Sequence, residues 1–197
     1  MHLEKLNSHP KDKHIDFDKE PHTYYIKGKP YNLSVTGFVH EFFSKFDSKK
    51  IIEKYYFRWQ ENPDSPYYEM TPQEILDSWE ENSKIQSEAG TMLHDSIERF
   101  YNRQHYQNNT SEFNHFLSFH DDHGHLTPYR TEWKVFDEEL QLAGSIDMCY
   151  INDDNSISIY DWKRSKEIKE QNKYQCGLYP LSHLPDSNYW PYSLQLN

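Results

Sequence analysis

Cysteine is almost missing from this chain: Cys149 and Cys176 stand alone, and neither belongs to a CxxC pattern. That excludes a disulfide framework and a thiolate zinc site, and it makes an intracellular setting, cytoplasmic or nuclear, the expectation. Long apolar runs are missing too. No stretch approaches the roughly 18 apolar residues of a membrane span. Met1-His2-Leu3-Glu4-Lys5 has no apolar signal region, so neither secretion nor membrane insertion is expected. Cations are scarce, with 21 Lys and Arg against 32 Asp and Glu and a formal net charge of -11. A broad nucleic-acid footprint draws on Lys and Arg, so the balance disfavours one, although a local basic groove stays compatible with it. Carboxylates gathered to hold a divalent cation would produce the same negative sum.

What is present is aromatic. Hydrophobic residues make up only 35%, but 16% of the chain is Phe, Tyr or Trp, which supplies core area that an aliphatic count overlooks and argues against disorder. The 197 residues suffice for one domain with a core and an appendage.

Residues 1–14 are polar and predict a loose start. Ile15 to Val35 predicts a β-hairpin, with Thr23–Ile26 turning at Lys27-Gly28-Lys29-Pro30 into Tyr31–Val35. Thr36 is the expected cap of a helix carrying Phe38, Val39, Phe42 and Phe43, and a second helix is expected from Ser48. Thr71-Pro72-Gln73-Glu74 has the chemistry of a capping box. A separate long helix is expected from about Asn82 to Asn102, with Leu93, Ile97, Phe100 and Tyr101 on its buried stripe. Gly90 inside it suggests close approach of another backbone. A short helix over 112–120 and three strands near 129–136, 140–151 and 156–163 follow. Residues 164–190 read as mixed and loop-rich. A last helix is expected from Tyr192, cut to barely two turns, which is the pattern of a truncated C-terminal part.

Strands two and three are joined by Asn152-Asp153-Asp154-Asn155, good turn chemistry. If Ile151 faces Ile157, Asp147 falls opposite Asp161, with Cβ atoms about 4.5–5.5 Å apart. Two carboxylates that close repel unless a proton or a cation neutralises them, and oxygen ligation favours Mg²⁺ or Mn²⁺. Along the third strand Asp161 and Lys163 share a face and Trp162 takes the other. His94 on the long helix is positioned to lean over the sheet as a further ligand, with Glu98 one turn on. Glu132 is expected beside the same site. D-x-K alone, or one His at a helix edge, is an ordinary surface feature; their order along one fold is more specific.

Taken together, Gly90-Thr91-x-x-His94, Glu132, Gly144-Ser145-Ile146-Asp147, Asp161-Trp162-Lys163 and Gln195 resemble the PD-(D/E)xK nuclease superfamily, in its RecB-type and lambda-exonuclease-type branch. The likeness covers about 85–197. The front end and Pro180-Leu181-Ser182-His183-Leu184-Pro185 resemble nuclease-like proteins of large DNA viruses. The resemblance implies a mixed α/β fold with a restriction-endonuclease-like αβββαβ core over 81–197, and a hairpin-plus-helices extension over 1–80. It implies Mg²⁺ or Mn²⁺ held by His94, Asp147, Asp161 and the Trp162 backbone carbonyl. Lys163 would act on the attacking water or the developing phosphorane. Gln195 would match the Gln of the family's QxxxY motif, whose Tyr falls beyond Asn197. The implied function is a DNA-hydrolysing enzyme, exonuclease-like, of repair, recombination or replication.

A nuclease-fold module that binds nucleic acid without turnover is the alternative. A glycoside hydrolase would need its two carboxylates about 5–9.5 Å apart across a sugar cleft and leaves Lys163 without a role. Three further features carry plainer readings. His120-Asp121-Asp122-His123-Gly124-His125 lacks thiolates and reads as a solvated loop rather than a zinc site. Tyr55-Tyr56-Phe57-x-Trp59 and Tyr189-Trp190-x-Tyr192 read as core packing, with base stacking the competing use. Lys163-Arg164-Ser165-Lys166 and Lys169 form the densest basic patch near the proposed site.

Overall fold

The structure, a computed structural model, describes residues 2–164 and the backbone of Tyr189–Gln195. It is mixed α/β, with two separate sheets and helices. Two compact units are distinguished: residues 1–43 with 93–197, and residues 44–92.

The N-terminal stretch that composition marks as loose is tied down. A short helix, α1 (Leu3–Leu6), and a single 3-10 turn, Asp12–His14, precede the first strand. The Leu3 amide donates to Asn102 Oδ1 at 2.8 Å, and Asn7 Nδ2 donates to the Tyr129 carbonyl at 2.7 Å. Arg130, 3% exposed, donates to Asp12 Oδ2 at 2.9 Å and to the Asn7 carbonyl at 2.8 Å, while the Trp133 indole donates to Asp12 Oδ1 at 3.1 Å. Buried polar groups demand partners, and here a polar N-terminus supplies them.

Strands β1 (Ile15–Asp18), β2 (Thr23–Ile26) and β3 (Lys29–Tyr31) form a three-stranded antiparallel sheet. Lys27 and Gly28 connect β2 to β3 with φ of 51° and 76°, as a two-residue hairpin requires. The expected second strand of the hairpin divides. β3 stays with β2, and Leu33–Ser34 (β4) leaves to pair parallel with residues 142–143. Ser34, not Thr36, caps helix α2 (Val35–His40), accepting from the Gly37 amide at 3.0 Å.

In the unit 44–92, α3 (Ser48–Gln60) is capped by Asp47, which accepts from the Lys50 amide at 3.1 Å. Gln60 then knits the following loop, donating to the Tyr67 and Met70 carbonyls and accepting from the Glu69 amide. Trp59, Tyr67 and Trp79 pack together, with Trp79 Nε1 donating to the Tyr67 hydroxyl at 2.9 Å. The capping box forms as expected: Glu74 accepts from the Thr71 amide at 2.7 Å, and Thr71 Oγ1 accepts from the Glu74 amide at 3.3 Å. From there one helix, α4 (Pro72–Tyr101), runs unbroken for 30 residues. The break expected before Asn82 does not occur, because residues 78–89 are mostly Glu, Gln, Lys and other residues that a helix accepts.

The other unit carries the large sheet. Helix α5 (Ser111–Asp122), capped by Thr110, is followed by β5 (Thr127–Asp137), β6 (Leu142–Ile151) and β7 (Ile157–Lys163). Strand order is β4-β6-β7-β8, with β5 also on β6. Ile151 pairs with Ile157 and Met148 with Tyr160, the register that the Asn152–Asn155 turn predicts. β8 (Tyr189–Gln195) runs parallel to β7, setting Gln195 beside Lys163. A strand therefore replaces the helix expected from Tyr192: its backbone extends the sheet instead of satisfying itself. Cys176, Lys166, Lys169, Pro180–Pro185 and the side chains of 189–195 lie outside the described residues.

One face of this sheet packs Met148, Tyr150 and Trp162 against Leu93, Ile97 and Tyr101 of α4 and Phe113, Phe116 and Phe119 of α5. A second cluster joins Val35, Trp133, Ile146, Cys149, Ile157 and Ile159.

Two outcomes are expected. Among the described residues, nothing but Gly90's chain neighbours and the helix's own backbone lies within 4 Å of where a Cβ on Gly90 would stand, so the expected close approach is not there. Gly90→Ala should stabilise the chain by roughly 0.5–1 kcal/mol in urea unfolding. Asp12 behaves differently. Burial alone would raise its pKa, but hydrogen bonds from Arg130, the His9 amide and Trp133 outweigh burial and hold it below 3.8. Its depressed pKa adds stability that is present above pH 3.8 and is lost as pH falls through the folded value. Asp12→Asn should therefore cost about 2–4 kcal/mol at neutral pH, and the gap to wild type should narrow below about pH 4.

Candidate metal centre

Three elements of one unit converge. The α4 stripe of Leu93, Ile97 and Tyr101 is buried in the aromatic cluster, which leaves the neighbouring His94 at the edge of that contact. Its Nε2 lies 2.8 Å from the Trp162 carbonyl on β7. Donating that N–H fixes the ring so that Nδ1 faces two carboxylates, Glu132 Oε1 and Asp147 Oδ2, each at 3.6 Å. One ligand atom from each of His94, Glu132 and Asp147 can be chosen so that all lie within 4.8 Å of one another.

Asp147 is placed by the β6–β7 register. The paired ladder ends at Met148 and Tyr160, one step short of Asp147 and Asp161, and Asp161 is near enough to act on the Asp147 carboxyl. Asp147 Oδ2 accepts from the Trp162 amide at 2.7 Å, which locks the side chain across the strand pair. Glu132 lies midway along β5, between Thr131, paired with Met148, and Trp133, paired with Ile146, and so at the level of Asp147. Its φ of 44° is left-handed, a conformation that costs a non-glycine residue about 1–2 kcal/mol and collects at functional sites. Ser145 Oγ donates to Glu132 Oε2 at 3.1 Å and orients the carboxylate.

Asp161 is 1% exposed and takes a different partner, with Lys163 Nζ 2.9 Å from its Oδ2. Trp162 turns to the opposite face, against Phe116 and Phe119. The sheet thus divides this tripeptide as a period of two requires.

Burial pushes the Asp147 carboxyl upward. His94 and Lys163 pull it down, while Asp161 and Glu132 reinforce the rise. Burial also opposes charge on His94, but Asp147 and Glu132 outweigh it and raise the imidazole to about 9. Glu98, one turn along α4, is raised by burial and then by Glu132. The Tyr24 phenol on β2 is raised by burial, then by Glu132 and Asp147. Three carboxyl groups and two basic side chains share a mostly buried place, where burial favours a proton on Asp147 that a cation could replace. One imidazole and two carboxylates are a donor set that fits a divalent cation.

Of the residues expected at the site, His94 and Asp147 come together and Glu132 joins them. Asp161 stands behind, paired with Lys163, and the Trp162 carbonyl is engaged by His94. Gln195 enters only as backbone, beside Lys163 on the parallel strand. The basic patch is less free than its sequence suggests, since Arg164 Nε lies 2.6 Å from Glu112 Oε1. Among the described residues no second cluster of three such ligands occurs. His123 instead stacks on Phe119, and the rings of Phe100 and Tyr101 meet His120 edge-on. Ser145 and Tyr24 are additions. Ser145 was legible as part of Gly144-Ser145-Ile146-Asp147, whereas Tyr24 carries no sequence signal linking it to the site. No described helix is long and apolar enough to cross a membrane.

Comparison of the chain with protein-family models and with curated proteins finds no match.

Saturating Mn²⁺ is expected to stabilise the protein by about 2–3 kcal/mol at a hundredfold excess over its Kd, a rise in Tm of roughly 5–10 °C. Thermal unfolding of Asp147→Asn and His94→Ala should show no such rise.

Proposed function

We propose that this chain is a divalent-cation-dependent nuclease that hydrolyses phosphodiester bonds of DNA. The observation that carries the reading is the convergence of His94, Glu132 and Asp147 within 4.8 Å, with the Asp161–Lys163 pair on the adjoining strand. The ordered likeness to the PD-(D/E)xK superfamily supports the same conclusion, as does a β8 strand running parallel to β7 beyond the Asp161-Trp162-Lys163 segment. An αβββαβ core with exonuclease-like activity in repair, recombination or replication is the form that the likeness favours.

His94, Glu132 and Asp147 are the residues to hold Mn²⁺ or Mg²⁺, and the imidazole favours Mn²⁺ of the two. Such a cation supplies Lewis-acid polarisation of a phosphodiester oxygen and a more acidic water. The chain's own groups do the rest. His94 is aimed by its bond to the Trp162 carbonyl, and Asp147 by the Trp162 amide. Asp161 keeps Lys163 at 2.9 Å, which holds the ammonium close to the carboxylates. From there Lys163 can orient the attacking water or stabilise charge developing on the phosphorane.

A second reading, a module of the same fold that binds nucleic acid without turnover, draws on the engagement of Lys163 by Asp161. Cleavage of linear duplex and single-stranded DNA separates the two. Wild type should cleave with Mn²⁺ and stop with EDTA, and Lys163→Ala should be slower by about a hundredfold or more while Mn²⁺ still raises its Tm. Equal inactivity of both proteins, with DNA binding retained, would establish the module instead.

A further inference from the structure

Helix α3 carries four cations and one acid in a chain whose overall charge is strongly negative. Its buried side is set by Ile52, 5% exposed, with Tyr55, Tyr56 and Trp59 half-buried beside it. Trp59 meets Tyr67 at 4.6 Å and Trp79 at 6.1 Å, so the aromatic residues at 55, 56 and 59 belong to packing. Phe57 does not. It is 77% exposed, and its ring meets Tyr56 edge-on at 5.9 Å.

The exposed face carries Lys49, Lys50, Glu53, Lys54, Phe57 and Arg58. Spacings of three and four place Lys50, Lys54, Phe57 and Arg58 along one side of the helix. Lys50 is partly neutralised by the capping Asp47, with Nζ 3.2 Å from Oδ2. Lys54 Nζ lies over the Tyr55 ring at 5.0 Å, which keeps its charge on the helix surface. No carboxylate within ion-pair distance engages Lys49, Lys54 or Arg58 among the described residues.

We propose that this face of α3 holds a single-stranded polynucleotide, Lys50, Lys54 and Arg58 meeting successive phosphates and Phe57 stacking on a base. Complementary charge selects a polyanion. The exposed ring among the cations selects one with accessible π-faces, and that favours a single strand over a duplex, an acidic protein or a lipid surface. Choosing DNA as the strand rests on the phosphodiester chemistry proposed above.

The test is binding of a fluorescein-labelled oligothymidylate to the full chain, read by fluorescence anisotropy in EDTA across a salt series. Cleavage of the same strand is followed separately with Mn²⁺. The triple variant Lys50→Glu, Lys54→Glu, Arg58→Glu should lose at least about tenfold in affinity, with the slope of log K against log salt flatter by about 2. Phe57→Ala should lose roughly five- to hundredfold with its slope unchanged. If the triple variant loses helical circular dichroism, Lys54→Ala and Arg58→Ala decide separately, each flattening the slope by about 0.7.

Absence of wild-type binding overturns the inference. So does wild-type affinity in Phe57→Ala and in the charge variants. Competition by polyglutamate as effective as by unlabelled strand also overturns it, since that polymer has charge without bases. Binding that depends on α3, with no Mn²⁺-dependent cleavage, leaves this surface standing and removes the turnover reading. Cleavage by wild type and α3 variants alike, with equal binding, does the reverse.

Discussion

The pairing of β6 with β7 sets Ile151 opposite Ile157, and nearly everything of functional interest depends on that choice. Sliding one strand by a single residue would carry its whole side-chain set to the other face. In the observed register Met148, Tyr150 and Trp162 enter the aromatic cluster, which in turn holds α4 through Leu93 and Ile97. The same register turns Asp147 and Asp161 away from that cluster and lets the Trp162 amide reach Asp147 at 2.7 Å. Burial of the aromatic face and assembly of the charged site are therefore one decision. The core that packs Leu93 delivers the neighbouring His94 to the Trp162 carbonyl.

The local electrostatics are poor for stability. Burial removes solvation from Asp147, and Glu132 and Asp161 add like charge beside it. Replacing such a buried ionic group with apolar residues often stabilises a protein, so stability alone gives no reason to retain it. Glu132 adds a left-handed backbone at the same point. Strain and buried ionisable groups with shifted pKa values gathered at one place are a mark of function. Without a cation, the site relieves its charge through a protonated His94 and the Lys163–Asp161 pair, both of which rely on backbone and side-chain partners already fixed by the sheet.

How much was legible follows from the range of each interaction. The β6–β7 register was readable because a short turn, Asn152–Asn155, dictates it: the Asn152 amide donates to the Ser156 carbonyl at 2.8 Å, and Asn155 adopts a φ of 64°. The capping box at Thr71 was readable for the same local reason. The anchoring of residues 2–14 was not, because Asn7, Asp12 and Leu3 find partners at Tyr129, Arg130 and Asn102, over a hundred positions away or nearly so. Nor was the extended state of 189–195, whose pairing belongs to β7 and not to its own letters. Glu132 could be placed near the site from its strand but not in the ligand cluster, since its unusual φ leaves no trace in sequence. Continuity of α4 across Asn82 left no local mark, because residues on both sides of that point are ones a helix accepts.

Charge shows why composition is a blunt guide to partners. A sum of -11 spreads over the whole chain, but at physiological ionic strength fields fade over about 8 Å, so a strand approaching the surface responds to its nearest few side chains. Acids gathered at His94, Glu132 and Asp147 attract cations and so contribute less repulsion than their number implies. Cations concentrated on one exposed helix face act at full strength within that distance. The same negative total is therefore compatible with a cation site and with a polyanion surface, because each is decided by a handful of neighbours and neither by the average.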